Sequence, residues 1–138
     1  MKTNILVSKL FRRQLIYFFY FIIMSHSSIT KLMEPKTPSW FVDQFKNTII
    51  NLIPELVPSS FYLIGIFELT IGILFLSCVF LKNNKQLFVS KLAFSFVLVL
   101  FIMLSFGQRI SGNFQDSAIL FFYFTASLYL ESFVSESC

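Results

Sequence analysis

The run Phe61–Leu81 limits what this chain can become more than any other stretch. It holds about twenty nearly unbroken apolar residues, and at ~1.5 Å per residue a helix of that length crosses the ~30 Å hydrocarbon layer of a bilayer. One carboxylate, Glu68, stands near its middle. A carboxylate at that depth costs roughly 2.5–3.5 kcal/mol on insertion scales, so it requires a partner, a proton or a wet cavity. Gly65, Glu68 and Gly72 stand at i, i+3 and i+7 and share one helical face. That face is small and polar. It belongs inside a bundle rather than against lipid, with Gly65 and Gly72 letting a neighbouring helix come close.

The rest of the composition agrees. Of 138 residues, 56% are hydrophobic and only 13% charged, against about 25% charged in an average soluble protein. A chain this small cannot hide that much apolar surface in water, so residues 1–138 form a single integral-membrane domain whose principal partner is the lipid bilayer. Phe occurs 20 times, and its plainest role is to replace Leu against lipid. The net charge is +4, but the charges sit near the ends of the apolar segments, where they carry topology information rather than a nucleic-acid surface.

Several chemistries are excluded. The two cysteines, Cys78 and Cys138, form neither C-x-x-C nor C-x-x-C-H, which argues against a thiol-disulfide enzyme and against attached c-type haem. His26 is the only histidine, so one chain cannot supply bis-His haem ligation. The sequence contains no metal cluster, Gly-rich phosphate loop or catalytic triad. No catalytic residue, metal ligand or covalent cofactor is assigned. Cys78 reads as a small buried apolar residue.

In chain order, Met1–Gln14 is a basic leader followed by the aromatic run Leu15–Met24. Small residues at Ser25 and Ser27 leave a cleaved signal open. The stripe continued by Ile29, Leu32 and Met33 favours a retained first span over 15–33. Pro35 and Pro38 end it. Residues 39–53 then carry Phe41, Val42, Phe45, Ile49, Leu52 and Ile53 on one face, opposite Asp43, Lys46, Asn47 and Asn51. This predicts an amphipathic interfacial helix, with Pro38 at its first position, Thr37 as its cap and Trp40 at the headgroup boundary. Pro54 and Pro58 bracket a turn before a second span over 59–81. A third span covers 87–106, and Gly107–Gln115 reads as a loop. A fourth covers 116–134, capped by Asp116. The expected fold is an all-α, polytopic membrane four-helix bundle with one extra amphipathic interfacial helix.

Counting Lys and Arg orients it. Lys2, Lys9, Arg12, Arg13, Lys82, Lys85 and Lys91 fall on one side, against Lys31, Lys36, Lys46 and Arg109 on the other. The positive-inside rule places the richer side, and with it both termini, in the cytoplasm, where the Cys138 thiol stays reduced.

On Ser28-Ile29-Thr30-Lys31-Leu32, on Gly65-Ile66-Phe67-Glu68-Leu69-Thr70-Ile71-Gly72 and on Asp116 at the head of an apolar fourth helix, the chain resembles the DoxX-like family of small four-helix bacterial membrane proteins. The resemblance runs from about Leu15 to Tyr129. Trp40–Phe45 stands outside the family pattern and marks a divergent member. The resemblance implies a four-span fold in the bacterial inner membrane. It also implies a link to quinone-coupled redox chemistry, as a subunit working with a membrane or peripheral oxidoreductase partner.

Two groupings are candidate chemistry. Glu68 and His26 are expected at similar depth, in the outer half of the bundle. They read either as a proton-handling pair beside a quinone or as a structural interhelical hydrogen bond. Lys31, Arg109 and Asp116 are expected at the outer helix ends, with Glu34 and Glu55 nearby. They read either as the mouth of a site for an anionic or quinone headgroup or as cations paired with loop acids. Whether the chain is an enzyme is open. A non-enzymatic scaffold or assembly factor and a small permease stand beside the redox-subunit reading, and a bundle this thin allows self-association.

Overall fold

The computed structural model describes residues 2–53 and 55–136. Pro54 of the expected turn and the Cys138 thiol lie outside them. Five α-helices follow in order: α1 (Lys2–Leu32), α2 (Ser39–Phe45), α3 (Leu56–Phe80), α4 (Asn83–Ile110) and α5 (Phe114–Glu136). Among the described residues there is no strand. α1, α3, α4 and α5 are each long and apolar enough to cross a membrane, so the chain is a multi-pass membrane protein. The basic leader and first span are one continuous helix.

The connections differ from expectation for local reasons. The amphipathic segment is not one helix over 39–53. α2 stops at Phe45, and a single 3-10 turn, Ile49–Leu52, follows. The Thr48 hydroxyl donates to the Phe45 carbonyl at 2.8 Å, and the Asn51 amide donates to the Lys46 carbonyl at 3.0 Å. Both side chains take acceptors that a continuing helix needs. Pro38 is the N-cap of α2, and Thr37 supplies no side-chain cap. Pro58 lies inside the first turn of α3, where its missing N–H is no loss.

The expected loop from Gly107 is helical as far as Ile110, which keeps Gln108 and Arg109 on the last turn of α4. Gly112, at φ +80°, then reverses the chain in a conformation that glycine adopts freely. Asn113, not Asp116, caps α5. Its side-chain oxygen accepts the Asp116 N–H at 3.3 Å, and its amide donates to the Asp116 carboxylate at 2.6 Å.

Neighbours along the chain are neighbours in space: α3 packs against α1 and α4, and α5 packs against α4. The Tyr20 and Ser127 hydroxyls, 2.7 Å apart, bring α5 back to α1 and close the bundle. Tyr20 of α1 stacks on Phe75 of α3 at 4.8 Å, and Phe94 of α4 meets both rings edge-on, at 5.4 and 5.1 Å. This aromatic knot is the centre of the core. Around it many large side chains, including Phe18, Phe19, Phe80, Phe88, Phe121 and Phe122, point outward, as in a protein solvated by hydrocarbon.

α1 is offset along α3. Its last residues, Lys31 and Leu32, lie beside Gly65, so the first turns of α3 extend past it. α2 fills that space: Phe41 packs 5.0 Å from Phe61, and Phe45 reaches Gly107 of α4.

Candidate functional site

The Gly65–Glu68–Gly72 face points at α1, as its small and polar character requires. A methyl group on Gly72 would lie 2.7 Å from the Ser25 hydroxyl, and one on Gly65 would lie 3.2 Å from the Lys31 side chain. The Ser28 hydroxyl donates to the Gly65 carbonyl at 2.7 Å. Glycine here is a condition of the seam, because a Cβ at either position displaces its neighbour.

Glu68 stands midway along α3 and is buried. The Lys31 ammonium donates to both of its oxygens, at 3.0 and 2.8 Å, and to the Ser27 hydroxyl at 2.7 Å. Helical side chains lean toward their own N-terminus. That lean carries the ammonium from the level of Gly65 down to Glu68 and Ser27. Two carboxylate bonds and one hydroxyl bond use all three ammonium donors. The ammonium is saturated by this pair and Ser27. Removing Lys31 strands the buried Glu68 charge, which typically costs about 3–5 kcal/mol.

The structure regroups the candidate residues. Glu68 pairs with Lys31, not with His26. His26 is exposed, and among the described residues its ring makes no bond to Glu68. Its backbone carbonyl accepts the Thr30 hydroxyl at 3.1 Å. His26 and Glu68 lie at similar depth, but the seam places positions 25, 28 and 31 toward α3 and turns 26 away. Arg109 and Asp116 do not join Lys31. The Arg109 guanidinium lies 5.5 Å over the Phe114 ring, and Asp116 is spent on Asn113. The offset of α1 sets the half-buried Lys31 beside Glu68, midway along α3, while Arg109 and Asp116 are at the tip of the bundle.

A second feature was missed from sequence. A cavity of about 570 Å³ opens between α2, α3 and α4. Its walls are mainly apolar, with Phe41 and Phe45 from α2, Leu63, Ile64 and Phe67 from α3, and Met103 and Leu104 from α4. Ser60 and Gln108 are its polar lining. At the tip of α4, Gln44 of α2 donates to the Gln108 side-chain oxygen at 2.6 Å and to the Ser111 hydroxyl at 3.1 Å. Volume, apolar walls and a few polar groups at one end are the usual properties of a site for a small lipophilic molecule. One signal for it was in the sequence: Phe41 and Phe45 form the apolar face of a helix too short to cross the membrane, and such a face needs something to cover.

Among the described residues no cluster of His, Cys, Asp or Glu could hold a metal. Compared with protein-family models, curated proteins and solved structures, the chain matches none of them.

Proposed function

We propose that this protein is a DoxX-like bacterial inner-membrane protein that holds a quinone, or a similar apolar ring-bearing molecule, for a partner oxidoreductase. Both termini face the cytoplasm in this reading. Lys9, Arg12 and Arg13 stand at the same end of the bundle as Lys82 and Lys85, which supports that orientation. The α2 end then lies in the outer leaflet.

The carrying observation is the cavity between α2, α3 and α4. It is large enough for a substituted ring, its walls are aromatic and aliphatic, and hydrogen-bonding groups stand at one end. The ion pair is a poor candidate for the chemistry, because Lys31 and Glu68 are already matched to each other. The chain's own task is to bind and position, while the partner subunit supplies the electron donor.

The protein reports on this site by itself. Trp40 is the sole tryptophan, and its ring lies 5.7 Å from that of Phe41, which lines the cavity. Quinones quench indole fluorescence. Titrating purified protein with a short-chain quinone should quench Trp40 saturably, and solvent extraction should release a bound quinone detectable by mass. Linear, unsaturable quenching with no extractable lipophile would refute the reading and favour a scaffold, which should instead co-purify with one complex and no ligand.

A further inference from the structure

The cavity's polar end has a fixed hydrogen-bonding sense, set by a short chain of protons. The Ser111 hydroxyl donates to the backbone carbonyl of Gln108 at 2.9 Å. Its proton is therefore committed, and its oxygen can only accept from Gln44. The Gln44 atom that faces it at 3.1 Å must be the amide nitrogen. The same nitrogen lies 2.6 Å from the Gln108 side chain, so the Gln108 atom that meets it must be the oxygen. Gln108 is left with its NH2 group. Among the described residues no acceptor bonds to that group, and Gln108 lines the cavity. Its spare side-chain capacity is two donors, set against one remaining lone pair on an oxygen already engaged by Gln44.

Building on the lipophile-binding reading, we propose that Gln108 selects ligands that present a carbonyl oxygen, with Gln44 as the positioning residue that holds it in the donating orientation. A ring or chain that fills the apolar walls and offers an acceptor at its head satisfies the site. A hydrocarbon of the same shape leaves the amide unpaired. Two membrane molecules carry such a head: a quinone, through a ring carbonyl, and a glycerolipid, through its ester carbonyl. Lys31 and Glu68 take no part, since their hydrogen bonds are used within the α1–α3 seam.

The test uses full-length protein in lipid nanodiscs and follows Trp40 fluorescence. A short-chain benzoquinone is titrated directly, and an alkylbenzene of equal size is measured by competition. The wild type should prefer the quinone by roughly tenfold, as one matched hydrogen bond implies. Gln108→Glu keeps an acceptor for Gln44 but removes both donors. It should erase or invert that preference while leaving alkylbenzene affinity within about twofold, which also shows that the variant is folded. Gln44→Leu releases Gln108 to rotate and should weaken the preference partway. Equal quinone affinity in wild type and Gln108→Glu would overturn the selection rule and leave the lipophile reading standing. A wild type that binds neither probe and yields no extractable lipophile would overturn both. A tightly retained glycerolipid that quinone fails to displace from wild type, but that Gln108→Glu loses, would assign the site to an ester carbonyl and overturn the quinone reading alone.

Discussion

Two faces of α3, roughly a third of a turn apart, solve the same problem differently. Toward α1 the helix presents Gly65, Glu68 and Gly72: Ser28 bonds the Gly65 carbonyl, Lys31 pairs with Glu68, and Ser25 packs against Gly72. Toward α4 and α2 it presents Ser60, Leu63, Ile64 and Phe67, and the space beyond them is not filled by protein. The polar face is closed and the apolar face is open. Within a membrane a charge draws attention as a site, yet a charge already paired with a neighbouring opposite charge has less to offer a ligand. The unfilled apolar face, with a single amide at its edge, keeps its capacity to bind.

That contrast is easiest to break at Lys31. Lys31→Met should cost about 3–5 kcal/mol, because it strands the buried Glu68 carboxylate. A lower unfolding midpoint in detergent, or failure to accumulate in the membrane, would show it. Replacing both partners, Lys31→Met with Glu68→Leu, should return stability close to wild type, since a buried pair is often exchangeable for apolar packing. If the double variant is as crippled as the single one, the seam needs its charges for something other than mutual compensation.

Gly72→Ala comes next. Its new methyl group falls 2.7 Å from the Ser25 hydroxyl, and displacing that side chain within the tight seam should cost roughly 1–3 kcal/mol. Gly65→Ala, with its methyl group 3.2 Å from the Lys31 Cβ and the Leu32 side chain, is less tight and should cost less, and Gly107→Ala, with 3.6 Å to the Phe45 ring, close to nothing. The ranking Gly72, Gly65, Gly107 in thermal stability checks the α1–α3 seam against the looser α2–α4 contact.

On the open face the sign of the expectation reverses. Met103→Trp places a ring in the cavity. It should leave stability near wild type and lower quinone affinity by about tenfold, the equivalent of roughly 1.4 kcal/mol of binding. Loss of stability without loss of binding would mean that the space is ordinary packing slack.

The smallest effect concerns the edge of the bundle. α1 and α5 are joined by the Tyr20 and Ser127 hydroxyls, 2.7 Å apart. Tyr20→Phe removes that bond and should cost about 0.6 kcal/mol, the average for hydrogen bonds between helices in membranes. An unfolding midpoint shifted by a degree or two, with quinone binding unchanged, is the expected result.

The fold was largely legible because hydrocarbon solvent imposes simple demands: apolar runs of the right length, proline and polar breaks between them, and a small-residue face around a lone acid. The site was less so. Lys31 belonged to Glu68 because α1 is offset along α3, and offset is a property of packing that no single helix encodes. His26 lies one residue or two from Ser25 and Ser28, and only the rotation of α1 decides which of them meets α3. Thr48 and Asn51 ended α2 through carbonyl bonds that the 3.6-residue apolar pattern does not register. Gln44 and Gln108 are far apart in sequence and unremarkable alone. Their meaning comes from the direction of the hydrogen bond between them, which only coordinates supply.

The central claim is that ligand chemistry belongs to the open face of α3 and not to its buried ion pair. Quinone titration of the Lys31→Met, Glu68→Leu double variant, followed by Trp40 quenching, tests it most directly. The expected dissociation constant lies within about twofold of wild type, as independent sites require. A loss of about tenfold or more, in protein that unfolds at the wild-type midpoint, would place the ion pair inside the site and contradict the separation of the two faces.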